Sequence, residues 1–329
     1  MYLFCSLCLL SVLLPDTESG RLNDEFKEFI KQFNKTYKKE EHQYRRSIFH
    51  RNMEEAKRLQ KEELGTAKYG MTKFSDLTDE EFKRYYSIPV SAPPPNMMKK
   101  IHVEATPEHP TCDWRKAGVI SQVKHQGECG SCWAFASVGN IEAQWAIFGH
   151  PYNFSVQQIL DCGPCDAGCK GGYAWDAFIT VMQESGLVTE QDYPYIGVRK
   201  SCISSQFRKI GWITNFVMLP RDEEAMKSYI SNNGTITACM NSTVLKHYQR
   251  NVIHPAIKNC KPGIDHMVLL VGYSKDKNKP YWIAKNSWGT DWGERGYFRI
   301  SRGGNVCGIA DYPLSAFINM TGQRIPCPK

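Results

Sequence analysis

Apolar residues follow several distinct patterns along this 329-residue chain. Leu3 to Leu14 form a nearly unbroken apolar run, followed by Pro15, Asp16 and small polar residues to Gly20. About twelve such residues are too few to cross a bilayer, but they suit a cleavable targeting segment (residues 1–20, cleavage near Ser19 or Gly20). From residue 21 the period becomes helical. Phe26, Phe29, Ile30 and Phe33 recur at steps of three and four and line one helix face. A second helix is predicted from about Glu41 to Glu63, with Glu41, Arg45, Phe49, Asn52, Ala56 and Gln60 on one slowly drifting stripe. Glu41 and Arg45 also form an i,i+4 pair in the favourable orientation. Periodicity alone reads this as an ordinary amphipathic helix. Gly70 to Asp76 breaks the pattern, and Thr78 with Glu81 three residues later is a capping box for a short third helix.

Residues 87 to 111 carry Pro89, Pro93, Pro94, Pro95, Pro107 and Pro110, an extended linker open to proteolysis. The body then opens near Cys112-Asp113-Trp114-Arg115. The stretch after Cys132 is apolar nearly all round and predicts a buried helix. Gly171 to Val181 and Glu223 to Ile230 read as further helices. Strands are predicted at Ile236 to Met240, Met267 to Tyr273, Tyr281 to Ala284 and Tyr297 to Ile300, with turns at Lys277–Pro280 and Gly293-Glu294. Helix-rich followed by strand-rich predicts an α+β fold in two subdomains, with a site in the cleft between them.

Composition narrows the class. The chain is 42% hydrophobic and 23% charged, which reads as globular. Net charge is +7, but no Lys/Arg run exceeds two residues, so a solvated basic surface is expected and no nucleic-acid partner. No other apolar run reaches membrane-helix length, so no transmembrane segment is expected. Of 13 cysteines, Cys5 and Cys8 leave with the targeting segment; eleven remain in a disulfide-permissive space. Ten paired and one free is the simplest arithmetic. Cys162, Cys165 and Cys169 lack the Cys/His quartet of a zinc site, so no metal and no cofactor is expected.

Cys129-Gly130-Ser131-Cys132 is by itself ambiguous among a redox pair, half a metal site and a nucleophile beside a structural cysteine. A nucleophilic thiolate needs a lowered pKa, a base and donors for the oxyanion it creates. Cys132 opens the buried helix, whose N-terminus favours a negative sulfur. His266 starts an apolar strand, and Asn286 follows the next one, so neighbouring strands can bring base and orienting amide together.

These motifs resemble the papain-like cysteine proteases over essentially the whole body. The resemblance is carried by Gln126 to Phe135, Gly168-Cys169-Lys170-Gly171-Gly172, Asp265-His266 and Asn286 to Gly293. The front piece (21–106) resembles the family's inhibitory propeptide, and its Ala56 and Gln60, with Gly65-Thr66-Ala67 and Phe74 to Thr78, follow the pattern of the cathepsin F and W group. The resemblance implies a zymogen whose peptidase domain spans 107–329. It implies Cys132 as nucleophile, His266 as base, Asn286 as orienting amide shielded by Trp288, and Gln126 with the Cys132 N–H as oxyanion hole. It also implies the bridges Cys129–Cys169, Cys162–Cys202 and Cys260–Cys307, with peptide substrates, the chain's own propeptide and cystatin-type inhibitors as partners.

Substrate contacts are expected from Gly171, Gly172, Ile264, Asp265, Met267, Trp288 and Tyr312. Met267 and Tyr312 stand where relatives often carry small residues, so with Ile264 they predict a shallow apolar second pocket. Cys112, Cys165, Cys239 and Cys327 have no partner by this matching: they make two more bridges, or Cys239 is a small buried hydrophobe. Five Asn-x-Ser/Thr sequons (Asn34, Asn153, Asn233, Asn241, Asn319) fit a luminal protein. Passage through the secretory pathway is expected, ending in the lysosome or outside the cell, with retention in the endoplasmic reticulum by another route also open. Two other classes stay open here: a feeble protease-shaped binding protein with an occluded pocket, and a chain acting as an inhibitor through residues 21–106.

Overall fold

A computed structural model describes residues 16–85, 109–163, 168–260 and 263–328. The apolar N-terminal run, the proline-rich linker from 86 to 108 and Cys165 lie outside the described residues. In chain order the helices are α1 (Asp16–Gln32), α2 (Lys39–Glu62), α3 (Asp79–Phe82), α4 (Cys132–Ile147), α5 (Val156–Cys162), α6 (Ala174–Gln183) and α7 (Glu223–Asn233). The strands are β1 (Lys68–Tyr69), β2 (Cys112–Asp113), β3 (Asn215–Met218), β4 (Ile236–Met240), β5 (Tyr248–Arg250), β6 (Val252–Ile253), β7 (His266–Asp276), β8 (Lys279–Lys285), β9 (Tyr297–Ser301) and β10 (Leu314–Phe317). The fold is α+β.

The front piece has its own small core. Phe26 and Phe29 of α1 meet Phe49 and Met53 of α2, with the Phe29 and Phe49 ring centroids 5.0 Å apart. The charged and apolar stripe along α2 turns out to grip the returning chain rather than face solvent. Arg45 binds Glu41 at 2.8 Å and Glu81 at 2.7 Å, Asn52 donates to the Ser75 and Leu77 carbonyls, and Gln60 bonds both Ala67 and Tyr69. Thr78 and Glu81 close the expected capping box.

In the body, all sixteen residues of α4 are buried, as its all-round apolar pattern requires. One side packs on α5 and α6 through Trp133, Phe178 and Ile159; the other meets β7, where Gly139 lets Leu269 approach so closely that a Cβ would sit 3.3 Å from its methyl. The strand-rich subdomain is a sheet in the order β3-β10-β4-β7-β8-β9-β6, with β2 paired to β7. It is antiparallel except where β6 meets β9. The helix expected from Gly171 begins only at Ala174. Gly171 has φ +120°, outside helical space, and Gly172 lies so near the Trp133 indole that a Cβ would fall 2.7 Å from it.

The three implied bridges are formed, and Cys112 is joined to Cys327. The arithmetic of ten paired cysteines and one free is corrected: among the described residues, Cys132 and Cys239 both stand outside any disulfide, and both are buried. Cys239 sits in the middle of β4, register-paired with Met267, where no other thiol is bonded to it.

Candidate active site

The site is assembled from the start of α4, the start of β7, the corner after β8 and a loop before α4. His266 is fully buried at the head of β7, between β4, where it pairs with Met240, and β8. Because β7 and β8 run antiparallel, the residue that leaves β8 returns to the head of β7. Asn286 is that residue, and its Oδ1 lies 2.8 Å from His266 Nε2. An amide oxygen can only accept, so Nε2 carries the proton and the other ring nitrogen, Nδ1, is the basic one. Trp288 stacks on the imidazole with centroids 4.8 Å apart and planes 27° apart, shielding that bond from water. Burial pushes the imidazole pKa down to about 4, and the Asn286 bond opposes the shift.

Cys132 is the first residue of α4, where the helix leaves N–H groups that it cannot satisfy itself. A cavity of about 20 Å³ is bounded by Phe135, Ala136 and Gly139 of α4, by Met267 to Leu269 of β7, and by Asn286-Ser287. The opening turns of α4 therefore lie against the head of β7. Gln126 is completely buried and held in one orientation: its Nε2 donates to the Cys129 carbonyl at 2.7 Å and its Oε1 accepts from Ser287 Oγ at 2.6 Å. Backbone bonds from Gln126 N to Ser287 O and from Gly289 N to Lys124 O tie this loop to the Asn286 corner. The Ser287 bond to Gln126 and the buried Lys285 behind it were not expected from the sequence. Lys285 is buried against Ser121, and burial lowers its pKa to about 8 against the opposing pull of Glu142.

The expected pocket residues fall into one apolar cluster: Met267 is buried, and Ile264 and Tyr312 are half-buried beside Cys239. Tyr312 also meets Tyr173 and Trp175 edge-on at 6.4 and 6.1 Å, and those two rings stack at 3.9 Å. The sequence reading missed Tyr173 and Trp175, which follow directly on Gly172. Asp265 Oδ1 accepts from Ser242 N at 2.7 Å. His125 is exposed, and its Nδ1 accepts from Gly127 N. The sulfurs of Cys162 and Cys169 are in disulfides.

A thiol at a helix start, an imidazole oriented by an amide, and a fixed carboxamide form a set suited to acyl transfer. Residues 108–317 match the papain family of cysteine proteases, and residues 26–82 match the cathepsin propeptide inhibitor domain. The chain belongs to the papain family of cysteine proteases. It is similar to cathepsin W of Mus musculus, 44% identical over 93% of this chain and 90% of that one, and to cathepsin F of Mus musculus, 41% identical over 93% and 67%. Among solved structures it resembles a recombinant stem bromelain precursor (TM-score 0.81, 29% identity, 91% of this chain and 100% of that one). It also resembles the proform of the ragweed pollen allergen Amb a 11 (TM-score 0.80, 29% identity, 93% and 97%).

This papain-family chain is thus a cysteine endopeptidase made as a zymogen, with peptide or protein substrates and its own pro-segment as inhibitor; the binding-protein reading is not favoured. The pro-segment docks on the strand-rich subdomain. β1 pairs antiparallel with β5, Phe74 and Phe82 meet Trp288 edge-on at 5.3 and 5.4 Å, and Trp288 Nε1 donates to the Tyr85 carbonyl at 3.0 Å. No helix among the described residues is long and apolar enough to cross a membrane.

Proposed function

We propose that Cys132 is the nucleophile of this peptidase, His266 its base, and Asn286 the group that orients the base. The Cys132 thiol passes its proton to His266 Nδ1, and the thiolate attacks the scissile carbonyl carbon. The new C–S bond leaves a negative oxygen, held by Gln126 Nε2 and the Cys132 N–H. The C–N bond breaks as the imidazolium protonates the departing amine, leaving a thioester. Water, losing its proton to His266, attacks the thioester and releases the acid and the thiol. The observation that carries the reading is the 2.8 Å bond from His266 Nε2 to Asn286 at the head of β7, because it leaves Nδ1 as the basic nitrogen.

Substrate is held along Gly171 and Gly172, where the absence of side chains lets an extended peptide approach, and beside Trp288. Asp265 acts there through the backbone it braces. The second pocket, bounded by Ile264, Met267 and Tyr312, is shallow and apolar and disfavours large aromatic side chains. Residues 21–106 form the pro-segment and 107–329 the peptidase domain, after removal of a targeting segment at 1–20. The protein passes through the secretory pathway to the lysosome or the exterior, carries N-glycans and is open to cystatin-type inhibitors; no nucleic acid and no cofactor takes part.

Active-site titration tests this. The zymogen is acidified with a mild reductant, then titrated with a thiol-trapping epoxide while peptide hydrolysis is followed, with Cys132→Ala as control. Stoichiometric labelling with turnover, both lost in Cys132→Ala, is the expected result. Labelling or turnover that survives in pure Cys132→Ala protein overturns the nucleophile assignment.

A further inference from the structure

Ser131 occupies the N-cap position of α4, where a serine hydroxyl ordinarily accepts a hydrogen bond from its own helix. Here it makes no such bond. Its Oγ lies instead 2.6 Å from the Tyr195 hydroxyl, 64 residues away in sequence. The same hydroxyl donates to the Gln126 carbonyl at 2.8 Å. That donation uses the one phenolic proton, so Ser131 is the donor in the other bond, which at 2.6 Å takes its proton ahead of the Cys129 carbonyl at 3.4 Å. Tyr195 therefore bonds at once to the backbone of Gln126 and to the residue just before Cys132, adding a second tie to the one that the Gln126 side chain makes with the Cys129 carbonyl.

The tyrosine is itself braced. Its backbone N–H donates to Glu190 Oε1 at 2.9 Å, the next N–H donates to Gln157 Oε1 at 2.9 Å, and its ring meets Phe135 of α4 edge-on at 4.8 Å. Burial pushes the phenol pKa up to about 12, opposed by the bond from Ser131, so the hydroxyl stays protonated.

We propose that Tyr195 is a positioning residue for the oxyanion hole. It sets the separation between the Gln126 side chain and the Cys132 N–H, the two donors that must converge on one developing oxygen. This rests on the assignment of those donors above. A misplacement of a few tenths of an ångström weakens charge-assisted hydrogen bonds in the transition state while leaving substrate binding and the nucleophile nearly unchanged.

The experiment compares processed Tyr195→Phe, Ser131→Ala and Gln126→Ala enzymes in three readouts: kcat and KM for peptide hydrolysis, alkylation of Cys132 by iodoacetamide, and the thermal melt. Alkylation forms a C–S bond and releases iodide at a saturated carbon, so it needs the thiolate but no oxyanion hole. Tyr195→Phe is expected to lower kcat about ten-fold with KM within two-fold of wild type. Its alkylation rate stays at the wild-type value, and Ser131→Ala follows in the same direction with a smaller loss. If Tyr195→Phe does not accumulate as folded protein, Ser131→Ala carries the test. A kcat unchanged in these variants while Gln126→Ala loses activity overturns the proposal alone. So does an alkylation rate that falls in parallel with kcat, because Tyr195 would then act on the nucleophile. Full activity in Gln126→Ala overturns the oxyanion assignment beneath it.

Discussion

Lys246 of the peptidase domain is the sharpest test of how the pro-segment is held. Its ammonium group is almost completely buried, and three acceptors, all from the pro-segment, surround it: Asn52 Oδ1 at 3.1 Å, the Leu77 carbonyl at 2.9 Å and Asp79 Oδ1 at 3.0 Å. The Phe82 ring lies 5.8 Å away. Burial lowers the lysine pKa more than Asp79 raises it, so the charge sits there at a cost that its partners offset. Lys246→Met keeps the length of the side chain and removes the charge. The exposed Asp79 carboxylate returns to water at little cost. Leu77 O keeps its bond from Asn52 Nδ2. Asn52 Oδ1 is left as a buried acceptor whose lysine partner has gone, worth about 1–3 kcal/mol. Relief of the buried charge returns part of this, so a net loss of about 1–2 kcal/mol of docking energy is expected, roughly five- to thirty-fold in the docking equilibrium.

The loss must be confined to the zymogen, because removal of the pro-segment takes all three acceptors with it. The assay is therefore paired: thermal melting and acid-processing rate of the zymogen, against thermal melting of the processed enzyme, for wild type and Lys246→Met. A lower zymogen melt, faster processing and an unchanged processed enzyme are expected. An equal drop in both forms would falsify the argument, since Lys246 would then support the body and not the docked segment.

Acid should weaken the folded zymogen through two buried histidines. Burial, reinforced by Lys246 and opposed by Asp79, pushes His247 from 6.5 down to about 3, and burial pushes His266 from 6.5 down to about 4. A depressed folded pKa means stability that is complete above pH 6.5 and is lost as pH falls toward the folded value, about 2–3 kcal/mol for each group by pH 4.5. Melts at pH 7, 5.5 and 4.5 should show it, and His247→Phe should flatten the slope; an unchanged slope would mean that His247 titrates normally. Joint replacement of Cys112 and Cys327 by alanine, which opens a link spanning 215 residues, should lower stability by about 2–5 kcal/mol in denaturant titrations without touching the Cys132 thiol. Asn34, Asn153 and Asn319 are exposed, whereas Asn241 is buried with its amide bonded to Gly263 O and Thr243 N. Asn153→Gln or Asn319→Gln should increase gel mobility in secreted protein. Asn241→Gln should leave mobility alone and lower the melting temperature; a glycan found at Asn241 contradicts the folded geometry.

Much of this was legible in the sequence where one short segment holds its own signal. The all-round apolar run after Cys132 could only be a buried helix, and Thr78 with Glu81 specified a helix start by local chemistry. Long-range pairings were not legible. The four-residue strands at Asn215 and Leu314 are too short to show a period, and their pairing, Leu314 opposite Met218, is set by the sheet they join. Nothing near Cys112 or Cys327 marks them as partners. Lys246 lies in a polar-looking run, Leu245-Lys246-His247-Tyr248-Gln249-Arg250, that reads as surface because the segment that buries it is more than 160 residues upstream. Tyr195 carried no signal for the same reason: its partners Gln126 and Ser131 lie more than 60 residues upstream. The papain family was legible only because several separated motifs agreed.

Trp288 joins the two halves of the molecule in physical terms. One face stacks on His266; Phe74 and Phe82 meet its edges, and its indole N–H is used by the Tyr85 carbonyl. While the pro-segment is docked, the imidazole is fully buried against Trp288, where its neutral form is favoured. When the segment leaves, Phe74, Phe82 and Tyr85 leave with it, the Trp288 N–H returns to water, and the effective dielectric around His266 rises. The imidazolium becomes cheaper by the same solvation that the docked segment denied it. Covering Trp288 therefore raises the cost of a charged imidazole: the residues that hold the pro-segment in place also cover the ring stacked on His266.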